Sequence, residues 1–600
     1  MNLTLASSTG RILSETFRDV FRSLFSIIAE VLWSPQILLL LGVLLFLFIS
    51  QFFTRKRRHL TTARWAGMPE KLAAVRRAKA QLRSRKIDDV ILWCGTPPRW
   101  QTWGLMPEFI TLVTGNPPTV YLTDANQSFA IAGRPKSGKT YSAINPMTVS
   151  AIEQGLAIAL YDYKADDEGN GGQMAYLATL AVRHGYTLRI FSPGRPYTCI
   201  INPLDFLQDE SDDTTAGMLA EVFHMNLKQE TDKGDAFFGP AGQRLLQALF
   251  QFAKSTDYPD LGMAFTVLQL TNLPARLAFA VQRNQLPMFV RISFSQLIST
   301  LDSEKTTASI ISTAANVLNR FISLRILPSM MGKTNVSLLL GRKEMLVFQS
   351  DIFRQDVINP ILAAILHVVL QKNFSIQRMV PLIFCADEFP TLYLPKAPTW
   401  ANEHRSKGFV GIYGYQSLPQ LRDSYGAEKS NILLAGLGTQ FWFNPNHYDT
   451  AKDWEDSLGE TELWIQSKSW SRSPEDWGGG RSRNEQIHKR SLIAAEELMQ
   501  FGQGECILRS PGYKNRRRTA VPWHIRQIRV GDRDRERERH CVEIWNEKLR
   551  ERLIEREQQQ SLDIQEELLL RYDEAERLLP LPPGKQKRGA VPGGILSPDF

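Results

Sequence analysis

Cysteine is scarce in this chain: there are five in 600 residues (Cys94, Cys199, Cys385, Cys506 and Cys541), scattered and without C-x-x-C spacing. That excludes a disulfide framework and a thiolate zinc site, and reads as reduced thiols in a cytosolic body. No repeat of solenoid period is visible, so the chain is not an array. Acids are nearly missing from Arg55 to Lys86, where Arg55, Lys56, Arg57, Arg58, Arg64, Lys71, Arg76, Arg77, Lys79, Arg83, Arg85 and Lys86 crowd together. Such a block favours a polyanion, either phospholipid headgroups or nucleic acid. One long run lacks charge altogether, Ile37 to Phe53, and Ser34 to Gln36 extend it to about the length that crosses a bilayer. No small-residue cleavage site is evident, which disfavours a removed signal peptide. The TRKRRH that ends the run places everything after Arg55 in the cytoplasm. The preceding stretch, Phe17 to Trp33, is interrupted by Arg18, Asp19, Arg22 and Glu30; it reads equally as an interfacial helix or a poor first span.

At this length, with 43% hydrophobic and 22% charged residues, two or three folded domains are expected. Residues 1–60 read as the anchor and 61–126 as a basic, helix-prone connector containing Trp93, Trp100 and Trp103. Short apolar runs bounded by polar turns follow at 156–164, 187–193, 344–351, 380–388, 409–417 and 439–445, which predicts an α/β domain with a mostly parallel sheet. That domain is assigned to 127–205 and 326–527. Helical periodicity dominates from 206 to 325 and predicts an all-helical insertion. Residues 528–600 read as a charged, solvated helix ending in a Pro/Gly-rich disordered tail.

The chemistry begins at Phe129-Ala130-Ile131-Ala132, an apolar strand running into Gly133-x-x-x-x-Gly138-Lys139-Thr140 and then a helix. This is a P-loop in the context that gives it meaning: the glycines turn backbone N–H groups toward phosphate oxygens, and the helix N-terminus adds positive potential. Lys139 would reach the β- and γ-phosphates of ATP, and the Thr140 hydroxyl would ligate Mg²⁺. The whole stretch Gly133, Arg134, Pro135, Lys136, Ser137, Gly138, Lys139, Thr140 and Tyr141 is expected to hold the nucleotide. A P-loop also needs a carboxylate across the site. VPLIFCADE supplies an apolar strand ending in Asp387, for the metal, and Glu388, to orient the attacking water. A further strand ends in Gln416, placed to touch the γ-phosphate or the lytic water. P-loop, acidic pair, then glutamine on a neighbouring strand is the layout of RecA-like motor ATPases.

Several blocks then resemble the TraG/TraD family of type IV secretion coupling proteins, over most of residues 35–525. After the apolar run comes Ala63-Arg64-Trp65-Ala66; after the P-loop, Asp162-Tyr163-Lys164-Ala165-Asp166; before the helical region, Ile201-Asn202-Pro203-Leu204-Asp205. Asp387-Glu388-Phe389-Pro390 is followed by a helix ending in Arg405-Ser406-Lys407-Gly408, and then by Tyr415-Gln416-Ser417-Leu418-Pro419-Gln420-Leu421. The resemblance implies a hexameric ring at the bacterial inner membrane, with the bulk of the chain cytoplasmic. It implies ATP hydrolysis between subunits, and delivery of a relaxase-bound single DNA strand to a type IV secretion channel. It also implies recruitment of protein substrates, often by the helical domain, and a role for Arg405 as an arginine finger on the neighbour's nucleotide. Three features depart from the family pattern. Lys136 stands where a smaller residue or glycine is usual, the first membrane span is weak, and the charged C-terminal region has no assignable counterpart. Two other functions share the motifs: a DNA-segregation pump of the FtsK/HerA kind, and a membrane adaptor that binds nucleotide to recruit protein cargo. The helical insertion disfavours the first, and DNA-stimulated turnover discriminates the second.

Overall fold

The computed structural model describes residues 63–95, 119–166, 172–227, 238–321, 323–471, 480–528, 530–558 and 563–583. The expected membrane run at 36–53, the stretch Phe17–Trp33, Trp100, Trp103 and the Pro/Gly-rich end after residue 583 lie outside them. The chain divides into two compact units, one of residues 1–62 with 460–490 and one of 63–459 with 491–600. In the first, the described residues form a two-stranded ribbon of β10 (Glu460–Ser471) and β11 (Gly480–Ser491).

The larger unit opens with helix α1 (Met68–Ser84) and a small antiparallel pair, β1 (Leu92–Cys94) and β2 (Val120–Leu122). Strand β3 (Phe129–Ala132) runs through the P-loop into a turn of π-helix at Thr140–Ile144 and helix α2 (Asn145–Gln154). Then come β4 (Ala157–Asp162), α3 (Met174–Arg183) and β5 (Thr187–Phe191). Helices only, α4 (Asp213–Leu227) through α9 (Glu304–Leu318), occupy the described residues up to β6 (Glu344–Gln349). Helix α10 (Gln355–Ser375) leads to β7 (Leu382–Ala386), α11 (Ala397–Glu403) to β8 (Phe409–Tyr415), and α12 (Leu418–Tyr425) and α13 (Ala427–Gly436) to β9 (Thr439–Trp442). Helices α14 (Tyr448–Leu458) and α15 (Ala495–Met499), strands β12 (Cys506–Arg509) and β13 (Trp523–Ile525), and helices α16 (Asp532–Ile544), α17 (Arg550–Gln558) and α18 (Ile564–Leu578) complete it.

Nine strands make one sheet in the order β13-β12-β9-β3-β8-β7-β4-β6-β5. From β9 to β5 every pairing is parallel, while β12 and β13 close one edge antiparallel. The central strands FAIA, AIALYD, LIFCA and FVGIYGY are buried at every position, as parallel strands covered on both faces must be. Alternation along them feeds two cores. Phe129, Ile131, Ile158 and Leu160 pack on the side of α2 and α3, whereas Ala130, Ala132, Ala159 and Tyr161 face α10 and the helices between β5 and β6. Helix α10, with the turn before it, is long and apolar enough to cross a membrane, yet two thirds of that stretch is buried within the protein. It is a core helix.

The C-terminal region differs from its sequence reading as a solvated helix. Cys541, Trp545, Leu549 and Leu553 recur every fourth residue and lie against the α3 side of the sheet, with Trp545 fully buried and edge-on to Tyr197 at 5.7 Å. Farther on, the Arg571 guanidinium, 2% exposed, donates to both Asp260 carboxylate oxygens at 2.9 and 2.5 Å, locking α18 to the start of α6 (Leu261–Leu268). A narrow apolar stripe among many charges is enough to dock a helix when the protein supplies the facing groove.

Burial also leaves one histidine at odds with acid. His367 on α10 is 1% exposed, neither ring nitrogen has a partner among the described residues, and its ring lies 5.4 Å from that of Trp400. Burial, aided by Lys396, pulls its pKa down to about 3. The unfolded chain binds this proton near pH 6.5 and the folded chain does not, so stability falls as pH drops from there toward 3, by up to about 1.4 kcal/mol per unit. Urea titrations at pH 7 and 5 should show that loss, and His367→Phe should shrink it.

Candidate active site

Strands β3, β8, β7 and β4 are neighbours and parallel, so their C-terminal ends share one edge of the sheet. Gly133 follows β3, Gln416 follows β8, Asp387 and Glu388 follow β7, and Lys164 stands two residues past β4. The closeness of β7 and β8 at this edge needs Gly414, where a Cβ would collide with the Asp387 backbone.

The loop is held from behind. The Arg134 N–H donates to the Asn444 carbonyl at 2.8 Å, and the Gly504 N–H to the Ser137 carbonyl at 2.9 Å. Gly138 adopts φ +96°, and a Cβ there would sit 2.9 Å from the Gly504 nitrogen, so only glycine fits. Lys136 also takes a left-handed conformation, φ +65°, at the position where the sequence departs from the family habit of a small residue. That geometry costs a non-glycine residue roughly 1–2 kcal/mol, strain the flanking hydrogen bonds maintain.

The functional side chains converge. Thr140 Oγ1 donates to Asp387 Oδ2 at 2.7 Å, and Lys139 Nζ lies 3.0 Å from Glu388 Oε1, both partners of that ion pair almost fully buried. Gln416 Nε2 donates to Glu388 Oε2 at 3.2 Å. Lys164 completes the cluster, 3.1 Å from Asp387 Oδ2 and 3.6 Å from Glu388 Oε1. Burial pulls the Lys164 pKa down, but the two carboxylates outweigh it and hold the ammonium above its usual range. Two cations thus face two anions.

Thr140 and Asp387 suit a hard divalent cation: a hydroxyl and a carboxylate oxygen meet, and Asp387 Oδ1 is buried without a partner among the described residues. Ser137 Oγ is likewise buried and unpartnered there. Arg134, Pro135 and Lys136 are exposed at the loop's mouth. Tyr141 stands apart from the cluster, in a cleft lined by Asp534, Arg535 and Glu538 of α16; burial chiefly, with Glu538, raises its pKa against the pull of Arg535. Arg405 is also apart. It is exposed and precedes β8, and the seven residues of that strand put it about 20 Å from the cluster, at the opposite edge. Lys164 is the member that reading the sequence did not assign to the site. Its signal was its place just past an apolar strand, but only strand order shows that this end abuts the acidic pair.

With this geometry in view, the likenesses to known proteins become specific. Residues 381–503, from the start of β7 through Glu388, Gln416 and the β10–β11 ribbon, match the family described as the TraM recognition site of TraD and TraG. Over these residues the chain is of the TraG/TraD type. The coupling protein TraD of Escherichia coli (strain K12) is 26% identical over 130 residues, 22% of this chain and 18% of TraD, so this chain spans about a fifth of the length of that TraG/TraD relative. Among solved structures, the plasmid coupling protein TrwB in complex with the non-hydrolysable ATP analogue ADPNP superposes with a TM-score of 0.50 at 14% identity, covering 68% of this chain and 87% of TrwB. TrwB in complex with ADP and Mg²⁺ gives a TM-score of 0.49 at 16% identity with the same coverage. At this identity the likeness to TrwB bears on the fold alone, and it supports a RecA-like α/β fold.

The Lys139–Glu388 pair sets a stability test. Removing one partner of a buried pair leaves the other charge uncompensated, at about 3 kcal/mol, whereas replacing both by apolar groups is nearly neutral. Urea unfolding of Lys139→Met, Glu388→Leu and the double variant should give clearly smaller destabilisation in the double than the singles sum to.

Proposed function

We propose that this chain is an ATPase that couples hydrolysis to the delivery of DNA to a secretion channel during conjugation. The observation that carries the reading is the meeting of Lys139 and Thr140 with Asp387 and Glu388 at 2.7–3.0 Å, across some 250 residues of sequence. The RecA-like fold and the TraG/TraD segment support the coupling role. The TrwB complexes with ADPNP and with ADP and Mg²⁺ suit the same ligands.

In this mechanism the P-loop amides and Lys139 bind the phosphates of ATP, and Thr140 and Asp387 hold Mg²⁺, which supplies charge neutralisation at the transferring phosphoryl group. Glu388 orients the attacking water. In the arrangement seen here Lys139 covers one oxygen of Glu388 and Gln416 the other. Binding of a triphosphate draws Lys139 away and opens Glu388 Oε1, which then keeps only the longer 3.6 Å contact with Lys164. Lys164 keeps the two carboxylates together, and Gln416 relays the state of Glu388 into β8 and α12. Arg405, on the far edge of its own sheet, serves the nucleotide of a neighbouring copy in a ring, the hexamer being the expected form. DNA contacts are mainly electrostatic and follow the backbone. The chain sits in the bacterial inner membrane with its bulk in the cytoplasm, receives a relaxase-bound single strand, and passes it to the type IV channel proteins.

Glu388→Gln should bind ATP with Mg²⁺ and fail to turn it over, while Lys139→Ala should lose binding; a Glu388→Gln protein that hydrolyses normally removes the assignment. Arg405→Ala should lower kcat by about 10³-fold or more at unchanged nucleotide affinity, and mixing it with Lys139→Ala protein should restore part of the activity if the finger acts between copies. Hydrolysis by the wild type should rise with single-stranded DNA, and DNA affinity should fall steeply across a salt series. Nucleotide binding without DNA-stimulated turnover would favour the adaptor instead.

A further inference from the structure

The edge of the sheet opposite the candidate active site carries a cationic feature that no step above uses. Strand β12 runs antiparallel to β9, so the turn that follows Arg509 emerges at the end where β3 and β9 begin. That turn reads Lys514-Asn515-Arg516-Arg517-Arg518. It is a built loop: the Asn515 side-chain oxygen accepts from the Arg517 and Arg518 N–H groups at 2.8 and 2.9 Å, and the Asn515 N–H donates to the Arg518 carbonyl at 2.9 Å. Lys514, Arg516 and Arg517 are exposed, and among the described residues none of the three is in an ion pair.

The fold pins this turn against the first described residues of the chain. Asn515 Nδ2 donates to Glu70 Oε1 at 3.0 Å, the Ala66 N–H to the Pro522 carbonyl at 2.7 Å, and Lys71 Nζ lies 4.4 Å over the Trp523 ring. Glu70 is the one acid between Arg55 and Lys86, and it is fully buried, taken up by Arg64, Asn515 and the Gly67 N–H. It leaves the exposed charges of the turn uncancelled. Met68, at the start of α1, is 59% exposed in the same neighbourhood. The apolar run ends at Phe53, and the ten residues from there to Ala63 reach at most about 35 Å. Arg55 to Arg58 lie in that short tether.

The geometry points to a docking surface for anionic phospholipid headgroups, made by the 514–518 turn together with Lys71 and the exposed Met68. It rests on the reading of residues 36–53 as a membrane anchor. A basic turn held this close to an anchor needs little intrinsic affinity, because the tether supplies a high effective concentration and each basic residue near an anionic leaflet adds to the attraction. The bilayer is favoured over nucleic acid because the turn stands beside the chain's exit toward the anchor, and because the Trp523 ring beside it is half-buried and already covered by Lys71, which leaves it a poor stacking platform for bases. Docking here would direct the opposite, nucleotide-binding edge of the sheet away from the bilayer.

The test uses the full chain in lipid nanodiscs. All five native cysteines are buried, so Thr519→Cys, an exposed position beside the turn, takes a fluorophore selectively. With a headgroup-attached nitroxide lipid as quencher, discs of about one third phosphatidylglycerol should quench the dye at least about threefold more than discs of phosphatidylcholine alone. About 1 M salt should abolish the difference. Lys514→Gln/Arg516→Gln/Arg517→Gln should bring the anionic discs to the phosphatidylcholine level, with an unchanged melting transition and basal ATP turnover. Equal quenching in the two lipid mixtures, with the chain retained in the discs after a carbonate wash, overturns the docking surface and leaves the anchor standing. Loss of the chain to the wash overturns the anchor and the docking surface with it. A triple variant that keeps lipid-dependent quenching but loses affinity for a single-stranded oligonucleotide assigns the turn to nucleic acid and overturns the inference.

Discussion

Parallel pairing from β9 to β5 is the constraint on which the candidate site depends. Strands that run the same way deliver their C-terminal ends to one edge, and residues that polypeptide sequence separates by hundreds of positions arrive there together. Lys139 and Glu388 meet at 3.0 Å because β8 alone stands between β3 and β7, and because Gly414 lets the ends of β7 and β8 close up. Reverse β7 and the acidic pair would leave for the other edge; reverse β3 and the P-loop would. The same geometry sends Arg405 to the far side of the sheet, which is why a cooperative role for it calls for a second copy.

The cluster is balanced as it stands. Lys139 and Lys164 face Asp387 and Glu388, with Gln416 filling the remaining oxygen of Glu388. With Lys139, Asp387 and Glu388 buried and Lys164 half in solvent, the charge-neutral cluster is tolerable at the rim of a folded core, whereas the two carboxylates alone would not be. In the proposed mechanism an incoming triphosphate displaces an existing ion pair, so its affinity depends on what holds the carboxylates as well as on the P-loop. The C-terminal arm lies next to the helix that follows the P-loop. Helix α16 lies beside Tyr141, the residue after Thr140, while α18 is locked through Arg571 to Asp260 at the start of α6. One continuous stretch of chain thus touches both the start of the P-loop helix and the helices between β5 and β6.

Much of this was legible in the amino-acid order. The strands β3 through β9 fall where short apolar runs bounded by turn residues predict them, because strands buried on both faces need uninterrupted apolar sequence. The P-loop and the acidic pair were legible because their patterns are local: a glycine turn directly precedes its lysine, and the two carboxylates directly follow an apolar strand. The ribbon of β10 and β11 was missed. Its segments are ETELWIQSKSWS and GRSRNEQIHKRS; the second is polar but for Ile487 and offers no alternation to read. Strands β12 and β13 escaped for a different reason, being four and three residues long. The C-terminal arm was misread as solvated because charge dominates its composition, although Cys541, Trp545, Leu549 and Leu553 share one face.

The sequence by itself determined the P-loop pattern and the strand-end acidic pair, since those depend on neighbours along the backbone. Tertiary structure alone decided their partners. That Lys164 joins the acidic pair, that Lys139 rests on Glu388, that Lys136 holds a left-handed backbone, and that the 514–518 turn lies beside Glu70 all follow from strand order and helix docking. The physical reason is that a contact between distant segments is a property of the whole packing, set by how apolar faces are covered, and no local pattern encodes it.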